Sequence, residues 1–178
     1  MNLKLGEEHV AFRAEVQAFL AGWPLRGAEA ELPLAEREAI FRRRGVERGY
    51  VYRQIPKAFG GSEQPVDVLK DQILQEEYYA SGAPGNLLDQ GAGMLAPTLL
   101  ERGSEAQKQR FISRTLTGEF VWCQGYSEPN AGSDLANVQT RAELRGDRYV
   151  VNGQKTWTSG AHVADWNFCL VRPDPDAP

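Results

Sequence analysis

Near Gly118 the sequence changes from a helical period to a strand period, and that change limits the chain to a helical part followed by a β part. Upstream, Leu5, Phe12, Val16, Phe19 and Trp23 share one side of a helical wheel, and Pro24 ends that segment. Pro33 suits the first turn of a second helix, running through Ile40 and Phe41 to Gly45 or Gly49. Residues 50–65 are rich in aromatics, Gly and Pro and read as an ordered loop. A third helix is expected from Pro65 to about Ala80, and a fourth from about Asn86 to Glu101, stopped by Gly103. Ser104-Glu105-Ala106-Gln107 has capping-box spacing and marks the start of a fifth.

Downstream, Phe120 to Tyr126 is a short apolar and aromatic run. Thr140–Arg145 and Arg148–Val151 flank Gly146-Asp147, a two-residue hairpin signal. Asn152-Gly153 reads as a second tight turn, Trp166–Arg172 as a further strand, and 173–178 as loop or linker. The expected fold is therefore α+β: a helical bundle over residues 1–118, then an incomplete antiparallel β domain over 119–178. About four strands rarely close a sheet alone, so the sequence reads as unfinished.

With 178 residues, 42% of them hydrophobic, the chain can bury one sizeable core. A net charge of -4 argues against general binding to nucleic acid or anionic membrane, and no apolar run approaches the roughly twenty residues of a membrane helix. Cys123 and Cys169 lack metal-ligand spacing, and with no secretory signal at the start a reducing, cytoplasmic compartment is expected.

Pattern alone yields no complete catalytic set. Nucleophile elbow, phosphate-binding Gly loop and zinc helix are all missing from the sequence, and His9 and His162 are its two histidines. Two stretches stand out. Residues 126–134 (Tyr-Ser-Glu-Pro-Asn-Ala-Gly-Ser-Asp) offer many backbone donors, as a cradle for an anion or flat heterocycle or simply as a surface turn. Residues 155–161 (Lys-Thr-Trp-Thr-Ser-Gly-Ala) set an aromatic beside two hydroxyls, where a core Trp is the plainer reading.

Together these stretches resemble the acyl-CoA dehydrogenase family. Its middle-domain signature is matched by Ser127-Glu128-Pro129-Asn130-Ala131-Gly132-Ser133-Asp134, the Gly146-Asp147 hairpin, Asn152-Gly153-Gln154-Lys155-Thr156-Trp157-Thr158-Ser159 and Ala164-Asp165. Upstream, Ile55-Pro56-Lys57-Ala58-Phe59-Gly60-Gly61, Gln75-Glu76-Glu77 and Gly103-Ser104-Glu105-Ala106-Gln107-Lys108 match in order and spacing. Two departures are visible. Asn130 stands where the family usually has Gly, and is expected to take the same left-handed conformation; Thr158 replaces a commoner Ile.

The resemblance implies FAD as cofactor, an acyl-CoA thioester oxidised to the α,β-enoyl-CoA, and an electron-transfer flavoprotein or similar acceptor. It implies flavin contacts from Gln124, Tyr126, Ser127, Ser133, Trp157, Thr158 and Ser159, with Trp157 against the ring and the Ser159 hydroxyl towards its N5. Ser133 would also meet the CoA part of the substrate. Glu77 lies on the apolar face of the third helix, where it is either a carboxylate held by an Arg or backbone donors, or a lining residue of the acyl cavity with Gly91 and Met94. Glu128 and Asp134 suit loop shaping better than proton transfer. No residue here matches the family's catalytic Glu; that base, the remaining strands and a carboxy-terminal helical domain are expected beyond Pro178, leaving this chain inactive by itself. The full-length form is expected to be a homo- or hetero-oligomer. Alternatives are a non-catalytic flavin-contacting subunit of a hetero-oligomer, or an acyl-CoA oxidase or flavin monooxygenase of the same fold. Residues 122–126 (Trp-Cys-Gln-Gly-Tyr) resemble a branch acting on large or unusual acyl groups.

Overall fold

A computed structural model describes residues 6–85 and 89–174. Leu5 and Asn86, expected to open the first and fourth helices, and residues 175–178 of the closing loop lie outside the described residues. Among the described residues, five α-helices precede four short strands: α1 (Glu7–Leu20), α2 (Leu34–Glu47), α3 (Val68–Ser81), α4 (Ala96–Arg102), α5 (Glu105–Leu116), β1 (Trp122–Gly125), β2 (Arg141–Arg145), β3 (Arg148–Asn152) and β4 (Trp166–Cys169).

The helical part packs as two apolar clusters. Val16 and Leu20 of α1, Phe41 of α2, Leu74 and Tyr78 of α3 and the loop residues Tyr50 and Val51 form the first. Phe19 stacks on Phe41 at 4.8 Å between ring centroids. Gly45 sits inside α2 because a Cβ there would meet Val51 and Tyr78, so the missing side chain is what admits the loop against the helix. The second cluster joins Ile55 and Phe59 of the loop to Ala92, Ala96, Ile112 and Leu116.

Helix boundaries follow local chemistry. Pro33 lies one position before α2 rather than in its first turn, and makes no side-chain cap bond. Asp67, whose side chain accepts from the amides of Leu69 and Lys70, starts α3 at Val68 rather than at Pro65. At α5, Ser104 and Gln107 make the reciprocal capping box. The fourth helix departs from the sequence reading, because Gly91–Leu95 is a π-helical turn. Pro97 explains it: its ring has no N–H for the carbonyl of Gly93, four residues earlier, so a regular α register cannot run through this turn.

In the β part, β2 and β3 form the expected antiparallel hairpin, with Leu144 opposite Tyr149, and Gly146 takes the turn at φ +67°. The second pair differs from the antiparallel expectation. β1 and β4 run parallel, Trp122 opposite Trp166 and Gly125 opposite Cys169. Parallel strands need a long connection, and the whole of the loop, hairpin and turn between Tyr126 and Asp165 supplies it. The expected tight turn at Asn152-Gly153 is also replaced: Asn152 ends β3 and the backbone continues without a turn. Gly153 has a different task, since a Cβ there would overlap the side chain of Thr140.

Trp122 joins the two parts. Its indole Nε1 donates to Thr115 Oγ1 at 2.9 Å, and its ring stacks on Trp166 at 5.7 Å. Phe111 of α5 meets both Trp rings edge-on.

Candidate functional site

β1 leads directly into residues 126–134. Glu128 and Ala131 close a tight turn with paired backbone bonds of 2.7 and 3.1 Å, with Pro129-Asn130 at its tip. Asn130 does not take the left-handed conformation expected of it; the positive-φ residues of the described chain lie elsewhere. Pro129 suits the first tip position of turns with either sign of φ at the second, and here the second position stays out of the left-handed region, so Asn is accommodated without strain. The Tyr126 ring meets Phe168 edge-on at 5.7 Å, which fixes the start of the loop against β4.

The Ser127 carbonyl accepts the Thr156 amide at 2.9 Å. That bond draws residues 155–160 alongside the loop and brings Ser127 and Trp157 close. Trp157 is 88% exposed and has φ +57°, a left-handed backbone that is uncommon outside glycine and a genuine outlier for so bulky a residue. The Ser159 amide donates to the Trp157 carbonyl at 2.9 Å, curling Trp157-Thr158-Ser159 into a tight bend. The result is a platform: a bare indole, the exposed Ser159 and the half-buried Ser127 and Thr158, with Gln124 on β1 and Tyr126 just past its end. Ser133 is exposed further round the loop.

Beneath it lies Glu128, 8% exposed. Its carboxylate accepts from the amides of Gln139 (2.7 Å) and Thr140 (2.9 Å), from the Thr140 hydroxyl and from Lys155 Nζ (2.8 Å). Burial pushes its carboxyl pKa up, but the bonds from Lys155, Thr140 and Gln139 outweigh it and hold the group at about 2. Glu128 is thus the loop-shaping acceptor expected of it. Asp134 makes no side-chain cap to the short turn at Leu135–Asn137. Neither Lys155 nor Thr140 is marked in the sequence as a partner of Glu128; a carboxylate and a lysine 27 residues apart carry no local signal of pairing.

The helical candidates fall in two neighbourhoods. Arg13 of α1 donates to Glu77 at 2.6 Å and to Glu76 at 2.7 Å, and Gln17 donates to the second oxygen of Glu77 at 3.0 Å. Of the two readings of Glu77, the structure gives the Arg-held carboxylate, turned towards α1. Gly91 instead packs against Thr115 and Trp122, so closely that a Cβ would not fit, and Met94 is 39% exposed. A groove of about 440 Å³ between α3 and α4 includes Arg53, Asp71 and Gly93 but none of the platform residues. Its Arg53 is occupied by Asp71 and by the carbonyls of Gly49 and Pro65, so the groove presents no spare cation. Among the described residues there is no cluster of potential metal ligands, and no helix is long and apolar enough to cross a membrane.

Residues 6–119 match the family model for the acyl-CoA dehydrogenase N-terminal domain, and residues 123–178 match that for the middle domain. The chain is 40% identical over 173 residues to acyl-CoA dehydrogenase IpdE1 of Mycobacterium tuberculosis, an alignment covering 92% of this chain and 44% of that protein. Among solved structures, the Tcur3481–Tcur3483 steroid ACAD superposes with a TM-score of 0.72 at 32% identity, over 100% of this chain and 46% of that one. The ChsE4–ChsE5 complex of Mycobacterium tuberculosis gives 0.70 at 32% identity, over 98% and 44%. The chain thus spans less than half the length of these relatives. Matched by both domain models, it belongs to the acyl-CoA dehydrogenase family.

Proposed function

We propose that this chain supplies one wall of an FAD site in an acyl-CoA dehydrogenase, with the platform of Ser127, Trp157, Thr158 and Ser159 facing the flavin. The observation that carries the reading is Trp157: a large indole left 88% exposed on a constrained, left-handed backbone fits a surface made to meet a flat ring. The donor set fits as well. Hydroxyls of Ser127, Thr158 and Ser159 and the amides of the adjoining loop can bond the polar edge of an isoalloxazine, while Gln124 and Tyr126 support the loop from β1. When bound, FAD supplies the acceptor for hydride from the acyl-CoA β-carbon.

The chain's own residues orient and desolvate in this account; none serves as the base. Ser133, at the exposed rim, is assigned to the CoA part of the substrate, and Gly91 and Met94 to the acyl side. Glu77, with both oxygens engaged by Arg13 and Gln17, braces α1 against α3 instead. By family resemblance, the base is assigned to a part of the full-length enzyme other than these 178 residues. A steroid ACAD and a two-protein complex among the similar structures favour a bulky acyl group and a hetero-oligomeric setting. The free thiols of Cys123 and Cys169 fit a reducing cytoplasm; a flavoprotein as electron acceptor rests on the family resemblance alone.

Titrating the 178-residue chain with FAD and following flavin fluorescence tests the reading. Weak but saturable quenching is expected, and Trp157→Ala should weaken it roughly five- to hundredfold, the range of one aromatic stacking contact. Equal binding by wild type and Trp157→Ala would remove the role given to the indole.

A further inference from the structure

The platform's two segments are tied together below the surface. Lys155 Nζ donates to Glu128 at 2.8 Å and to the Tyr126 carbonyl at 3.0 Å, so one ammonium grips both the carboxylate and the backbone of the loop. The two side chains are 12% and 6% exposed. Glu128 in turn holds the amides of Gln139 and Thr140, so that three segments distant in sequence converge on one carboxylate. A buried pair of this kind adds little net stability over apolar residues of similar size, because desolvation offsets the attraction; what it can add is a fixed geometry. Here the geometry is needed. One backbone bond, from the Thr156 amide to Ser127, joins the segments above the pair, and Trp157 must be kept in its left-handed conformation. Gly153 leaves the room that lets this segment lie against Thr140.

We propose that Glu128 and Lys155 are positioning residues, which hold Ser127 and Trp157 at a fixed spacing and so assemble the platform before a ligand meets it. Neither side chain reaches the ligand face; both act through the backbone of Ser127, Thr156 and Trp157. What the platform binds rests on the flavin reading above, whereas the tie itself does not.

Amide hydrogen exchange on the 178-residue chain tests the tie, with FAD titration on the same samples. In Lys155→Met the Thr156 amide is expected to exchange roughly tenfold faster or more, and FAD to bind weaker by a similar factor, while amides of α5 around Ile112 keep their protection. Lys155→Arg, which keeps the charge and the donors, should restore both to within about threefold. Glu128→Gln, a milder change, should give the same selective loosening at Thr156. Unchanged Thr156 exchange in Lys155→Met overturns the proposal. So does equal loosening of α5, which reports general destabilisation, or selective loosening with FAD affinity intact. Should the wild-type chain show no saturable FAD binding, the flavin reading fails, and Thr156 exchange alone decides the tie.

Discussion

Glu128 shows how an exposed-looking motif residue becomes structural. In sequence it sits in a polar loop beside Pro129 and Asn130, and its type and neighbours suggest an acceptor; its partners do not follow, because Thr140 and Lys155 arrive from other segments. The same holds for Gly153, where a glycine after Asn suggests a turn but serves close approach to Thr140. A pH dependence follows from Glu128. Its carboxyl ordinarily titrates near 4.5 and is held at about 2 in the fold, so the stability it contributes is complete above pH 4.5 and is lost as pH falls towards 2. Thermal midpoints of wild type and Glu128→Gln measured from pH 7 to 2 should differ above about 4.5 and converge towards 2. A gap that stays constant across that range would mean that loss of the ionised carboxylate is not what separates the variant from wild type.

Elements with a local code were legible, and those set by long-range partners were not. The α5 start was readable because Ser104 and Gln107 satisfy each other's backbone within one turn. Ser104→Ala should therefore cost about 1 kcal/mol of stability, read from the urea midpoint at unchanged slope; no loss would show that the box is ornamental in this helix. The hairpin was equally local, with Gly146 at its turn. By contrast, nothing in residues 166–169 says that the strand pairs parallel with β1, since the partner is chosen by Trp122, Trp166 and Phe111 packing together across the junction. The π turn before α4 was hidden for another reason. Helical periodicity is blind to which carbonyl loses its donor, and Pro97 decides that.

At the scale of the molecule, the helical part carries the apolar core, and the β part carries the candidate chemistry on a platform outside it. None of the platform residues lines the groove between α3 and α4, so that concavity and the flavin reading make opposite statements about where a ligand binds. Amide chemical-shift mapping of the 178-residue chain during FAD titration separates them directly. Shifts concentrated at residues 124–134 and 156–160 are the outcome expected for a flavin wall built on Ser127, Trp157 and Ser159. Shifts centred on Arg53, Asp71 and Gly93, or none at saturating FAD, would contradict it.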